Sequence, residues 1–293
     1  MKSPYLASRT RYPIVFSLFV ASVCTLYYLF KSLLSASRCP TPIALNSNDF
    51  SARSAGVMTT LCVVAIFKNE GHAINEWLEH YRNEGVDAFF LVDNGSTDNF
   101  YISNMSGVTL KRDESIYAQV ELYNSFFENV RGYDFVAVVD LDEFMFAKRG
   151  TLKDYASSLP CRVSQVLVSW SMFGSSGFDK QPKSIKKSFT WRQRGVGHRF
   201  NTKYIVRVSD VERLLVHTAD LHFFTGDTIR DDENLQINHY PIQSREFFGS
   251  VKMRRGDVAS SNYVKLRTWD YFQSYDFHDY EDTTLRDRKL RAI

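Results

Sequence analysis

The sequence of 293 residues predicts a doubly wound α/β domain behind an N-terminal membrane-spanning helix. Three observations carry this expectation. Ile14 to Phe30 is a charge-free, mostly apolar run with basic residues on both flanks. Leu61 to Phe67, Ala88 to Val92 and Phe135 to Val139 are short, continuous apolar runs, the pattern of strands buried on both faces of a parallel sheet. The segments between them have helical spacing and are long enough for the crossovers that parallel pairing requires.

Taken in order, the first element is the anchor. As a helix, Ile14 to Phe30 would span about 26 Å at about 1.5 Å per residue, and Leu33, Leu34 and Ala36 extend it towards a full hydrocarbon core. Lys2, Arg9 and Arg11 precede the run and only Lys31 directly follows it, so the positive-inside rule leaves the N-terminus in the cytoplasm. The expectation is a cytoplasmic tail over 1–13 and a single-pass type II signal anchor over 14–36. A cleaved signal peptide is the alternative, since Ser35-Ala36-Ser37 offers small residues for cleavage. Tyr27 and Tyr28 favour the anchor, and both readings lead into the secretory pathway. Residues 37–60, rich in Ser, Pro, Asn and Ala, read as a stem linker.

The folded domain is expected over 61–278, with a charged C-terminal tail over 279–293. After the first strand, Ile74, Trp77, Leu78 and Tyr81 share one helical face, and Gly85 is placed to end the helix. The second strand closes on the turn-forming stretch DNGSTD, Asp93 to Asp98. A longer helix is expected from about Ser115 to Val130, where Ile116, Val120, Tyr123, Phe127 and Val130 recur at helical intervals, with Gly132 as its stop. The third strand then runs into Asp140, Leu141, Asp142 and Glu143.

Composition excludes some functions. With 36 Lys and Arg against 33 Asp and Glu, the net charge of +3 gives no concentrated basic face, so no nucleic-acid partner is expected. The four cysteines have spacings that suggest neither a disulfide framework nor a zinc site.

The acids after the strands carry the chemistry. Open α/β sheets bind ligands beyond the carboxyl ends of their strands. Asn69 and Glu70 follow the first strand, Asp93 the second and Asp140 the third. An acid after a strand is commonly only a solvated loop residue. In an extended segment, however, Asp140 and Asp142 would face one point, where two carboxylates repel unless a cation lies between them. Oxygen donors suit Mg²⁺ or Mn²⁺.

At this point the motifs resemble a known family. CVVAIFKNEGHAINEWLEHYRNEGVDAFFLVDNGSTDNF, DLDEF, SWSMFGSSG and NHYPIQSREFFGSVKMRRG occur in the order found in glycosyltransferase family 92 and its close relatives of the GT-A superfamily. The resemblance spans about residues 61–257. It implies a GT-A fold, a Rossmann-like doubly wound mixed sheet. It also implies a membrane-anchored, divalent-metal-dependent, inverting glycosyltransferase of the Golgi or a similar compartment. Such an enzyme moves a sugar from a nucleotide-sugar donor of the UDP type to a glycan or glycoconjugate acceptor.

Carried over by residue, Asn69, Glu70 and Asp93 line the nucleotide end, and Lys252 lies near the diphosphate. Asp140 and Asp142 hold the Mn²⁺ or Mg²⁺, with His239 completing its shell or touching the diphosphate. Asp179 and Glu246 are the two candidates for the base that takes the acceptor's proton. Of the sequons at Asn94 and Asn104, the first lies in the nucleotide loop and is expected to stay bare. A catalytically inactive relative that binds a glycan or a partner is the competing reading. A nucleotidyltransferase would need a glycine-rich basic loop where Lys68-Asn69-Glu70 stands.

Overall fold

The first strand, β1 (Leu61–Phe67), is buried along its whole length. Leu61, Val63, Ala65 and Phe67 enter one apolar cluster, whereas Cys62, Val64 and Ile66 enter another on the opposite face. A strand that supplies core to both sides must be covered on both sides, which is the physical content of the doubly wound expectation. The structure, a computed structural model, describes residues 58–195, 201–223, 225–255 and 267–288. The expected anchor over 14–36 lies outside these residues. Among the described residues no helix is long and apolar enough to cross a membrane. Except for Phe223 and Thr225, the described residues belong to one compact unit.

After β1 come α1 (Gly71–Asn83), β2 (Ala88–Asp93), β3 (Val108–Arg112), α2 (Gln119–Asn124), α3 (Phe127–Val130) and β4 (Phe135–Val138). Then follow β5 (Glu143–Ala147), α4 (Leu152–Ser158), β6 (Val163–Met172), α5 (Ile185–Ser188), β7 (Trp191–Arg192) and β8 (Thr202–Arg207). Next are β9 (Val211–Leu214), β10 (Ala219–Leu221), β11 (Asp227–Arg230), β12 (Leu235–His239) and α6 (Arg245–Phe247). A π-helical turn over Phe248–Lys252 leads into α7 (Met253–Arg255), and α8 (Trp269–Tyr275) and β13 (Tyr280–Glu281) close the described chain.

The main sheet runs β3-β2-β1-β4-β8-β6-β12-β5, with β11 beside the first half of β6. Its first four strands are mutually parallel. β8 is antiparallel to both β4 and β6, and β5 is antiparallel to β12, so the sheet is mixed. Trp77 and Tyr81 of α1 fill one cluster, and Leu122, Tyr123 and Val130 fill the other.

Three expectations change. β3 has the sequence VTLKR at the sheet edge, with no buried residue, so it carries no apolar run to read. The single helix expected over Ser115 to Val130 is two short helices joined at Ser125–Phe126. Its first turn is absent because Tyr117 takes a left-handed φ of 57°, which leaves Ile116 exposed. Finally, residues 279–288 are not a loose tail. β13 pairs with β7, Asp282 binds Arg192 at 2.7 Å, and Arg288 pairs with the buried Glu84. Of the cysteines, Cys62 is free and buried and Cys161 is disulfide-bonded.

The end of β6 is held closely against the chain's return. A Cβ at Gly174 would lie 2.5 Å from the Phe277 carbonyl oxygen and 2.6 Å from its nitrogen. Backbone cannot give way as a side-chain tip does, so Gly174→Ala is expected to destabilise the domain by about 1–3 kcal/mol. Urea unfolding of the variant measures it, and an unchanged midpoint would show that residues 276–277 are free to shift.

Candidate active site

The stretch from Asp140 to Glu143 is a tight turn between β4 and β5. The Glu143 amide donates to the Asp140 carbonyl at 3.1 Å, and the Asp140 amide donates to the Glu143 carboxylate at 2.8 Å. Helix α1 clamps it from the buried side. Trp77 Nε1 donates to the carbonyls of Asp140 and Glu143 at 3.0 and 3.1 Å, and the Tyr81 hydroxyl donates to the Glu143 carbonyl at 3.1 Å. Leu141 is buried, and the Asp142 carbonyl accepts the Tyr240 amide at 2.8 Å.

Because this segment turns rather than extends, the two-residue alternation does not apply, and the acids diverge. Asp140 receives Lys203 Nζ at 2.9 Å and the Tyr123 hydroxyl at 3.1 Å. Asp142 receives Lys252 Nζ at 2.6 Å and faces His239 Nε2 at 3.8 Å. Each acid of the pair thus has its own lysine.

Asp142, Glu143 and His239 instead form a group whose ligand atoms all lie within 4.8 Å of one another. Glu143 opens β5 directly opposite His239 at the end of β12. Two buried polar atoms of this group, Glu143 Oε1 and His239 Nδ1, have no hydrogen-bond partner. Nor has the buried Nε1 of Trp170, whose ring lies 4.2 Å from that of His239. Burial, opposed by Lys203 and reinforced by Asp140 and Asp142, pushes the Glu143 carboxyl well above its ordinary range. Burial would also raise Asp142, but Lys252 and His239 outweigh it and hold that carboxyl well below its usual range. Unsatisfied buried polar atoms are costly, and two carboxylates with an imidazole are donors that accept Mn²⁺ or Mg²⁺. The residues present fit a divalent cation.

Beside this group lies a buried chain of ion pairs. Lys252 Nζ bridges Asp142 and Glu70, the latter at 2.9 Å, and Arg255 reaches Glu70 at 3.0 Å. Burial would raise Glu70, but Arg255 and Lys252 together bring it below its ordinary value. Glu70 and Lys252, both expected at the nucleotide, are here bound to each other.

Asn69 and Asp93 build the loops at the neighbouring strand ends. Asn69, at a left-handed φ of 55°, accepts the amides of Thr97 and Asp98 on its side-chain oxygen at 2.6 and 3.2 Å. Asp93 accepts the Ser96 amide at 2.7 Å and Arg112 at 2.8 Å, and is 3% exposed. The Asn94 side-chain nitrogen is buried and donates to the carbonyls of Asp113 and Ser115, which leaves no room for a glycan. Asp93→Ala is expected to cost about 1–3 kcal/mol of stability by stranding the buried Ser96 amide, with Asp93→Asn losing less because its oxygen still accepts. Thermal melts of both variants read this out, and equal melting temperatures would deny Asp93 its part in the turn.

Asp179 and Glu246 are not brought to the acidic group. Their side chains are 84% and 44% exposed. Asp179 faces Arg245 at 3.7 Å, while Glu246 pairs with Lys180 at 2.8 Å and accepts the Gln181 amide at 3.0 Å. Solvated and already paired, they tie the loop after β6 onto α6. The sequence reading missed Lys203, which is wholly buried. Its one signal is a lysine placed among the apolar residues of TKYIVR.

The comparisons with known proteins agree on a family. The sequence profile of glycosyltransferase family 92 matches residues 105–289. A glycosyltransferase family 92 protein of Ricinus communis is 28% identical over 217 residues, covering 67% of this chain and 38% of the relative. One of Oryza sativa subsp. japonica is 26% identical over 209 residues, covering 64% of this chain and 34% of the relative. The chain therefore spans little more than a third of the length of these relatives. Among solved structures, that of GalNAc-T7 with UDP, GalNAc and Mn²⁺ aligns with a TM-score of 0.38 at 8% identity, over 62% of this chain and 44% of that one. A likeness that low has no bearing on this chain's site.

Proposed function

Because the chain belongs to glycosyltransferase family 92, we propose that it transfers a sugar from a nucleotide-sugar donor of the UDP type to a glycan or glycoconjugate acceptor. The observation that carries the reading is the pair of buried, unpartnered atoms, Glu143 Oε1 and His239 Nδ1, in a group that includes Asp142. In this reading Asp142, Glu143 and His239 hold the divalent cation. When bound, it supplies neutralisation of the charge that grows on the leaving diphosphate.

The chain's own residues do the rest. Trp77 and Tyr81 fix the 140–143 turn so that the ligand atoms need little rearrangement. Glu70 holds Lys252 and Arg255 on one side of the site, where a diphosphate would gain charge-assisted hydrogen bonds. Trp170 Nε1 is a donor without a partner beside His239 and would serve an oxygen of the donor or acceptor. Asp179 and Glu246 take no part in this reading. Inversion by direct displacement is carried over from the family resemblance. The deciding experiment is a panel of nucleotide sugars offered with Mn²⁺, with Mg²⁺ and with EDTA. Transfer from one donor, dependent on metal, is expected, and no turnover with any donor would favour the inactive, glycan-binding alternative.

The proposal extends to location. The basic-flanked run over Ile14 to Phe30 supports a type II single-pass anchor in the Golgi or a similar compartment, and the disulfide at Cys161 suits an oxidising lumen. In sealed microsomes, added protease is expected to remove only the short N-terminal tail. Digestion of the large domain, or a mature N-terminus near Ser37, would refute the anchor.

A further inference from the structure

At the end of β4 opposite the acidic turn, the protein has a cavity of about 440 Å³, within the span of about 300–1,000 Å³ typical of small-molecule sites. It is lined in part by Tyr133 and Asp134 just before β4, by Arg207 at the end of β8, and by Phe127, Arg131 and Ser209. β8 thus carries a lysine towards one end of the sheet and an arginine at the other, and the two are treated differently. Lys203 is paired with Asp140 and Glu143. Arg207 has no acid within ion-pairing distance among the described residues, and its Nε is buried without a hydrogen-bond partner. What it has is the ring of Phe135 beneath it, at 4.6 Å from the guanidinium carbon.

The contrast with its neighbours matters. Four other cations of low exposure each meet an acid. Lys252 and Arg255 meet Glu70, Arg192 meets Asp282, and Arg288 meets Glu84. A guanidinium backed by an aromatic face and facing a cavity offers its planar fork to an oxyanion. The other groups narrow the ligand further. Arg131 adds a second positive charge, though it shares it with Glu128 at 3.2 Å. Asp134 lines the cavity and spends Oδ2 on the amide and hydroxyl of Thr60, at 2.8 and 2.9 Å, which leaves Oδ1 as a further acceptor. A carboxylate there accepts from a hydroxyl donor. Tyr133 and Phe127 give the walls an aromatic surface against which a ring can lie.

We propose that this cavity is a second binding site, remote from the acidic turn, for an acidic monosaccharide: a hydroxylated ring bearing one oxyanion. Its oxyanion sits on Arg207 and a hydroxyl donates to Asp134. The oxyanion is either the carboxylate of a uronic acid or the phosphate of a sugar phosphate, which share this chemistry. The inference does not depend on the function assigned to the acidic turn, since no residue of that turn contributes to it.

The test is calorimetric titration of the full chain with glucuronate, glucose 6-phosphate and glucose, with hydrogen exchange to locate protection. At least one of the two acids should bind saturably, with protection over 207–211, and neutral glucose about tenfold more weakly or not at all. Which acid binds more tightly identifies the oxyanion. R207M should weaken binding about tenfold or more, and R207K, which keeps the charge but loses the fork, should lie between. Binding of glucose as tight as that of the acids, no binding of either acid, or full affinity in R207M would each overturn the proposal. Should R207M fail to fold, unchanged affinity in R207K would overturn it equally.

Discussion

Lys203→Met is expected to destabilise the domain by about 3–5 kcal/mol, the largest stability effect of any single change at the site. Lys203 has no exposed surface. Burial would lower its pKa, yet Asp140 and Glu143 together hold it well above the usual lysine value. Those contacts, at 2.9 and 3.6 Å, tie the buried lysine to the half-buried Asp140 and the buried Glu143. Methionine fills the stem's volume but leaves Asp140 without its counter-charge and Glu143 without its cation, and a stranded charge costs far more than the pair contributed when intact. The cost should fall when one acid is neutralised as well. Lys203→Met with Asp140→Asn is therefore expected to recover a large part of the loss. Urea unfolding of the two single variants and the double closes the cycle. A double variant as unstable as the sum of the singles would show that Lys203 contributes packing alone.

That cluster also marks where sequence reasoning stops. The strands β1, β2 and β4 were legible because each is an apolar run buried on both faces, and helix α1 because its buried residues keep one face. β3 was not, because an exposed edge strand needs no apolar residues. The antiparallel β8 was not, because nothing local in TKYIVR says that it will lie between β4 and β6. Its insertion, together with β5 antiparallel to β12, makes the sheet mixed.

The site followed the same division. That acids gather at the strand ends could be read from Glu70, Asp93, Asp140 and Asp142 in order along the chain. Which of them share a cation could not, since that depends on a turn and on partners far away in sequence. Asp140 and Lys203 are 63 residues apart, and Asp142 and Lys252 are 110 apart. Glu143 lay in plain view beside the pair. Its part emerges only from β5 and β12, whose register sets it opposite His239. For Asp179 and Glu246 no local pattern separates a surface acid from a catalytic one; in the structure both lie exposed, beside Arg245 and Lys180.

Asp142→Asn is expected to reduce transfer by about 10²–10³-fold while leaving the fold in place, the loss typical of removing one group that stabilises developing charge. The two effects separate because Asp142 is one of two acids on Lys252. When its charge is removed, Glu70 still holds that lysine at 2.9 Å, so no cation is stranded and the melting temperature should fall far less than in Lys203→Met. The amide keeps the volume and one oxygen, but it no longer supplies the negative charge that a divalent cation requires beside Glu143 and His239. Three measurements on wild type and variant distinguish the roles: the rate of sugar transfer, the melting temperature, and the rise in melting temperature on adding Mn²⁺. Wild type should be stabilised by Mn²⁺ and lose activity in EDTA, and Asp142→Asn should lose both responses at nearly unchanged apo stability. Full wild-type activity in EDTA would remove the metal from the mechanism. A variant that simply unfolds would mean that Asp142 serves the Lys252 ion pair and little else.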